Sequence, residues 1–382
     1  MTRPRVLIFS LAYFPFVGGA EVAIREITDR LSGYDFDLIT VNLDGKQKTE
    51  EKIGSVFVHR LNHKYFFPFL AYRLASKLHR QNNYQIIWAM MANQAGIAGV
   101  LFKRRFGTVP FLLTLQEGDE LTSLSYRLRL LAIRFFRVFR RADYIQVISN
   151  YLGRWAREMG AVCPTTVIPN GVDVNKFKVE SEKRKVTAQN LKTIITTSRL
   201  VYKNGIDTLI ESLKFLPDNI RLVIIGAGPE GIPLKEFMSR FDLDNRVQFL
   251  GQVPPTEIPS YLIQADIFAR PSRSEGLGNS FLEAMAAGVP VVGTPVGGIP
   301  DFLKGDTLTG SKVSPWERTG WFCEVNNPKS IADKVQYILA PANRDDVNQV
   351  ISNAKDLVRE KYEWSGIAQK MSIIIASLCG TR

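Results

Sequence analysis

Apolar residues in this chain gather into short unbroken runs, separated by longer stretches with helical spacing. Residues 5–10, 36–41, 56–61, 86–90, 111–115, 144–148 and 166–168 form a first series of such runs. Bounded by turn-forming or polar residues and apolar on both faces, they have the pattern of strands buried in a parallel sheet. The first run leads into a turn at Gly18-Gly19 and then a helical pattern from Ala20 to Leu31. The alternation predicts parallel strands joined by crossover helices. A second series follows at 193–197, 221–226, 247–250, 267–269, 289–292 and 320–325. Between the two series, residues 178–192 are polar and charged with no periodic apolar face, and read as a linker. Residues 363–382 return to a helical pattern. The expectation is an α/β protein whose halves share an architecture without a sequence repeat.

Length and composition agree with this. A chain of 382 residues is long enough for two or three domains with cores of their own. Hydrophobic residues at 45% place it among globular proteins. It has no run of about 18 apolar residues, so no membrane-spanning helix is predicted. The opening MTRPRVLIFSLAYFPF sets charge before apolar residues, as a signal peptide does. Its apolar run is short, meets a Pro/Gly turn and lacks a small-residue cleavage pattern, so it reads as a buried first strand. Cys163, Cys323 and Cys379 are too few and too scattered for a disulfide framework or a metal cage, and fit a reducing cytoplasm.

The net charge of +12 is uneven: 25 Lys and Arg face 15 Asp and Glu in residues 1–180, against 24 and 22 in the remainder. Two segments carry much of the excess, 64–80 (KYFFPFLAYRLASKLHR) and 127–141 (RLRLLAIRFFRVFRR). In the second, Arg127, Arg134, Arg137 and Arg141 recur at helical spacing among Leu, Ile, Phe and Val. A basic amphipathic helix of this kind can rest on an anionic membrane surface, and it can equally be a core helix whose arginines face water. The aromatics lie inside apolar helical stretches and no nucleic-acid module is visible, so nucleic acid is not an expected partner.

The densest chemistry is in residues 270–300, RPSRSEGLGNSFLEAMAAGVPVVGTPVGGIP. Glu275 and Glu283 stand eight residues apart, around a turn at Gly276-Leu277-Gly278 that opens a helical pattern. The second glutamate is expected on the helix, about two turns along. A helix start offers unpaired N–H groups and the positive end of the macrodipole, a seat for phosphate. One carboxylate at its mouth and one deeper can grip hydroxyl-rich groups on either side of that phosphate, the layout of a sugar nucleotide. The string also resembles the signature of retaining family 4 glycosyltransferases, which are built on two facing Rossmann-like domains, the GT-B architecture. The resemblance continues through FSLAYFPFVGGAEVAIREI at the N-terminus, ADYIQVIS (142–149), VIPNGVDVNKF (167–177), SRLVYKNGIDTLIES (198–212), LVIIGAGP (222–229) and VQFLGQV (247–253). It implies an N-terminal, acceptor-side domain over 1–177, braced by a returning helix at 363–382, and a nucleotide-sugar-binding domain over 178–362.

The resemblance also implies roles. Glu275 would contact sugar hydroxyls, and backbone N–H groups around Gly276, Leu277, Gly278 and Asn279 the phosphate. Glu283 would hold the ribose, and Gln252 and Val253 would border the base. Arg199 and Lys203 follow the strand at 193–197, at the carboxyl end where open parallel sheets bind ligands, and would offset the diphosphate charge. Gly18 and Gly19 would admit backbone N–H groups to the phosphate. No metal or other cofactor is expected. The donor is expected to be a UDP- or GDP-sugar and the acceptor a lipid-linked or cell-envelope glycan, with the protein in the cytoplasm or peripheral on the inner face of the membrane.

The chain departs from the family pattern twice. Asn204 stands directly before Gly205 where the family commonly has lysine, so Lys203 is one residue early. Gln116 stands where the family often has histidine, and it can position an acceptor but not act as a base. Glu117 and Asp119 beside it are candidates to orient the acceptor hydroxyl. The string Gly226-Ala227-Gly228-Pro229-Glu230-Gly231 matches the dinucleotide fingerprint, yet the next strand ends without an acidic residue for a ribose, which disfavours an oxidoreductase. The remaining alternatives are an epimerase or phosphorylase on the same fold and a non-catalytic subunit that binds a nucleotide sugar.

Overall fold

The structure, a computed structural model, describes residues 3–118, 131–133, 135, 137–177, 191–305 and 313–380. The chain divides into two compact units, Met1–Asn170 with Trp364–Arg382, and Gly171–Glu363.

In the first unit the apolar runs form β1 (Arg5–Phe9), β2 (Asp35–Val41), β4 (Val56–Leu61), β5 (Ile86–Met90), β6 (Phe111–Leu115), β7 (Tyr144–Val147) and β8 (Thr165–Val167). They pair in parallel in the order β4-β2-β1-β5-β6-β7-β8. A further strand, β3 (Glu50–Ile53), pairs antiparallel with β4 at the sheet edge. Its sequence, EEKI, carries no apolar run because an edge strand is solvated and its charges discourage pairing with another chain. Val6, Leu7, Ile8 and Phe9 of β1 are wholly buried. The helix Trp364–Cys379 returns to this unit and buries Trp364, Ile367, Ala368, Met371, Ile374 and Ile375 in the same cluster as Ile24 and Ile27 of the helix Gly19–Thr28. The expected continuous helix over 127–141 is broken at Arg137, which takes a left-handed φ of 55° before the short helix Val138–Arg141. Val138 and Phe139 point into the core and hold that short helix down. Arg127 and Arg134 lie outside the described residues.

The second unit holds β9 (Lys192–Thr197), β10 (Ile220–Ile225), β11 (Val247–Gly251), β12 (Ile267–Arg270), β13 (Val291–Gly293) and β14 (Trp321–Phe322). All pair in parallel, in the order β11-β10-β9-β12-β13-β14. Strand order reverses between β9 and β12 here, and between β1 and β5 in the first unit. Loops leaving the carboxyl ends of two such strands diverge to opposite sides of the sheet, and the gap between them is where open α/β sheets bind ligands.

Candidate active site

At the β9–β12 switch point of the second unit, two loops are bound to each other. After β9 the chain passes Arg199, which is exposed, and enters a 3-10 turn at Tyr202–Asn204 containing the half-buried Lys203. The Lys203 carbonyl accepts the Arg273 N–H at 2.6 Å, tying this turn to the loop after β12. Gly205 is essential to the approach: it has φ 67°, and a Cβ there would lie 2.1 Å from the Pro271 carbonyl oxygen. Asn204 is buried and donates from Nδ2 to the Arg199 carbonyl at 2.7 Å. The residue that displaces the familiar lysine thus shapes the loop carrying Arg199. Arg273 locks the turn further, forking onto Asp207 at 2.9 and 2.7 Å and donating to the Tyr202 carbonyl at 2.6 Å.

The loop after β12 then presents the first glutamate. Glu275 Oε1 accepts the Gly276 N–H at 3.0 Å, and Oε2 is paired with Nη2 of Arg270. From behind, Gly298 donates to the Glu275 carbonyl at 3.1 Å. A Cβ on Gly297, at φ 56°, would come within 1.8 Å of that carbonyl oxygen. Leu277 is buried, so its side chain anchors the turn and only its backbone is available to a ligand. Gly278 turns the chain at φ 102° into the helix Asn279–Ala286. Glu283 is the fifth residue of that helix, just over one turn along and nearer its start than the sequence predicts. Glu283 is half-buried. Burial pushes its carboxyl up to about 7, with the charges of Lys176 and Arg270 pulling the other way.

The glycine string has a structural task. Gly226, at φ 139°, would set a Cβ 1.8 Å from the Ser198 carbonyl oxygen, and Gly228 one 2.3 Å from that of Leu200. These two glycines let the loop after β10 lie directly on the loop after β9. Gln252, exposed, and Val253, half-buried, follow β11 at the carboxyl edge of the same sheet.

In the first unit, the Gly18 N–H is already taken by Glu21 Oε2 at 2.8 Å, so a phosphate contact there requires Glu21 to turn aside. Burial raises the Glu21 carboxyl, against its hydrogen bonds to its own and the Gly18 backbone. Gly19 begins the helix Gly19–Thr28. Gln116, after β6, forms a reciprocal amide pair with Asn170, Nε2 to Oδ1 at 3.1 Å and Nδ2 to Oε1 at 3.0 Å. Glu117 is buried, and its Oε1 accepts the Ala92 N–H at 2.6 Å, which holds the loop after β5. Asp119 lies outside the described residues. Among the described residues, no group of three or more His, Cys, Asp or Glu is arranged to hold a metal. Sequence reading did not single out Arg270, Arg273 or Asn170. The one signal for Arg270 was a charge at the end of an apolar run.

Known proteins resemble the chain over both units. Residues 178–357 match the family model described as glycosyl transferases group 1, and residues 17–176 that described as glycosyltransferase family 4. A GDP-mannose-dependent alpha-(1-6)-phosphatidylinositol monomannoside mannosyltransferase of Mycobacterium tuberculosis is 29% identical over 252 residues, 62% of this chain and 62% of that protein. A phosphatidylinositol N-acetylglucosaminyltransferase subunit of Arabidopsis thaliana is 29% identical over 211 residues, 54% of this chain and 43% of that one. The chain therefore spans less than two thirds of either relative. Among solved structures, the sucrose-phosphate synthase of Thermosynechococcus elongatus superposes with a TM-score of 0.83 at 20% identity, covering 100% of both chains. The chain belongs to the group 1, family 4 glycosyltransferases, and its two Rossmann-like units are those of the GT-B fold.

Proposed function

We propose that the protein is a retaining glycosyltransferase that moves a sugar from a UDP- or GDP-sugar to a hydroxyl of a lipid-linked or cell-envelope glycan. One observation carries the reading: the loop bearing Arg199 and Lys203 is hydrogen-bonded to the loop bearing Glu275, which opens the helix of Glu283, all at the switch point of one sheet. Glu275 contacts the sugar hydroxyls, the helix start receives the phosphate, Glu283 holds the ribose, and Gln252 and Val253 border the base. Arg199 and Lys203 offset the charge that builds on the leaving diphosphate without a metal. The bond from the anomeric carbon to the phosphate oxygen breaks, and the acceptor oxygen bonds to the same face. The acceptor proton passes to the departing phosphate oxygen. The first unit serves the acceptor through Gln116, while the buried Glu117 holds the loop after β5. The mycobacterial and plant relatives are both named for phosphatidylinositol substrates, which supports a lipid-linked acceptor.

Thermal unfolding with UDP-, GDP-, ADP- and dTDP-sugars, with NAD as control, tests the donor. A ligand at 100 times its Kd adds about 2.7 kcal/mol to stability, so one nucleotide class is expected to raise Tm. A shift with NAD alone would return the glycine string to a dinucleotide role. Once the donor is known, Glu275→Gln is expected to lower turnover at least about tenfold, about 1.4 kcal/mol of barrier. An unchanged rate removes Glu275 from the site.

A further inference from the structure

Arg270 ends β12, whose other residues are Ile267, Phe268 and Ala269. Only 6% of it is exposed. A guanidinium in such a place is costly unless its hydrogen bonds are made, so its partners are informative. Nη2 pairs with Glu275 Oε2. Nη1 donates to Ser280 Oγ at 2.7 Å, in the first turn of the helix that carries Glu283, and reaches the Thr197 carbonyl at 3.5 Å, at the end of β9. The guanidinium carbon lies 4.8 Å from the centre of the Phe281 ring, and Nε is buried without a hydrogen-bond partner. Gly278 makes room for this arrangement, since a Cβ there would be 3.2 Å from Nη2 and 2.9 Å from Phe281.

One side chain therefore joins three parts of the switch point: the end of β9, the first glutamate and the start of the helix. We infer that Arg270 is the positioning residue for Glu275, fixing its carboxylate for the sugar of the bound nucleotide. The inference rests on the reading of Glu275 as the sugar contact. Each Glu275 oxygen accepts one bond, Oε1 from Gly276 and Oε2 from Arg270, which leaves acceptor capacity on both for sugar hydroxyls. A lysine cannot reproduce the role in full, because one ammonium cannot span the glutamate, the serine and the strand end as a planar fork does.

The test separates sugar binding from nucleotide binding. Dissociation constants of UDP, UDP-glucose, GDP and GDP-mannose are measured for the wild type, Arg270→Met, Arg270→Lys, Glu275→Gln and the Arg270→Met/Glu275→Gln double variant. Arg270→Met is expected to weaken the sugar nucleotide about tenfold while changing the bare diphosphate less than about twofold. Arg270→Lys is expected to fall between, and the double variant to bind no worse than Glu275→Gln alone, since both changes remove one interaction. Should Arg270→Met not fold, Arg270→Lys carries the comparison. Equal losses for diphosphate and sugar nucleotide, or additive losses in the double variant, overturn the positioning role. If Glu275→Gln weakens the sugar nucleotide and neither Arg270 variant does, the inference fails and the Glu275 reading stands. A silent Glu275→Gln, or a wild type that gains nothing from either sugar, overturns both.

Discussion

At the scale of single residues, Glu283 faces two opposed demands. Folded, it keeps its proton to a pH of about 7, whereas its ordinary value is 4.5. Between those values the folded chain binds more protons than the unfolded one, so stability falls as pH rises through that window. Glu283→Gln removes the cost and is expected to be the more stable protein above pH 7, by on the order of 1–3 kcal/mol, read as Tm. With Glu283 holding the ribose as proposed, donor binding is expected to run the other way, because the ionised carboxylate is the better acceptor for two ribose hydroxyls. Wild-type affinity is expected to rise between about pH 6 and about pH 8, and Glu283→Gln to bind weakly with a flat profile. A flat wild-type profile would dissociate Glu283 from the ribose. The two glutamates were legible in the sequence because their spacing and their turn lie in one continuous string. Arg270 was not, because its meaning depends on Thr197, 73 positions away, and the pairing of Gln116 with Asn170 spans 54 positions. Only the folded sheet brings such partners together.

At the scale of elements, the helix Phe67–Asn82 carries the membrane question. Phe67, Pro68, Ala71, Ala75 and Leu78 are buried along one side. The other side exposes Phe66 and Phe69, at 67% and 52%, followed by Arg73, Lys77 and Arg80. Tyr65 just before the helix is 86% exposed. This stripe places aromatics at one end and cations along the rest, suiting a headgroup region. No described helix is long and apolar enough to cross a membrane. Flotation with vesicles containing anionic lipid is expected to carry the protein upward at low salt, and Tyr65→Ser/Phe66→Ser/Phe69→Ser to abolish it. Flotation that ignores salt and the triple change would sink the idea. Here the sequence was half informative. It marked 64–80 as basic without naming a helix there, whereas the basic periodicity over 127–141 suggested a continuity that the left-handed Arg137 interrupts. Regular spacing reports a face and is silent about one residue with reversed backbone. Strand β3 was invisible for the opposite reason, since an edge strand needs no apolar run.

At the scale of the whole molecule, the first unit is discontinuous in sequence. Six buried residues of the helix Trp364–Cys379 complete its core. Burying side chains of this kind is worth about 1.5–3 kcal/mol each for the larger apolar ones, which together rivals the stability of a typical domain, about 5–15 kcal/mol. A fragment of residues 1–170 is therefore expected to show no cooperative thermal transition, and a peptide of residues 364–380 added in trans to restore one. A fragment that melts like the intact unit would make the helix dispensable. The two series of apolar runs announced both sheets, because a strand buried on both faces must be apolar throughout. The order in which the strands pair was not in those runs.

That discontinuity also orders events on the ribosome. The residues that close the first unit emerge only after 171–363 have been made, a wait of roughly 10–40 s at common rates of synthesis. For that interval the nascent first unit carries an apolar face with its cover still missing, which is the kind of surface that chaperones hold. A chain cut short anywhere within the second unit lacks that cover altogether, so its first unit keeps the apolar face bare.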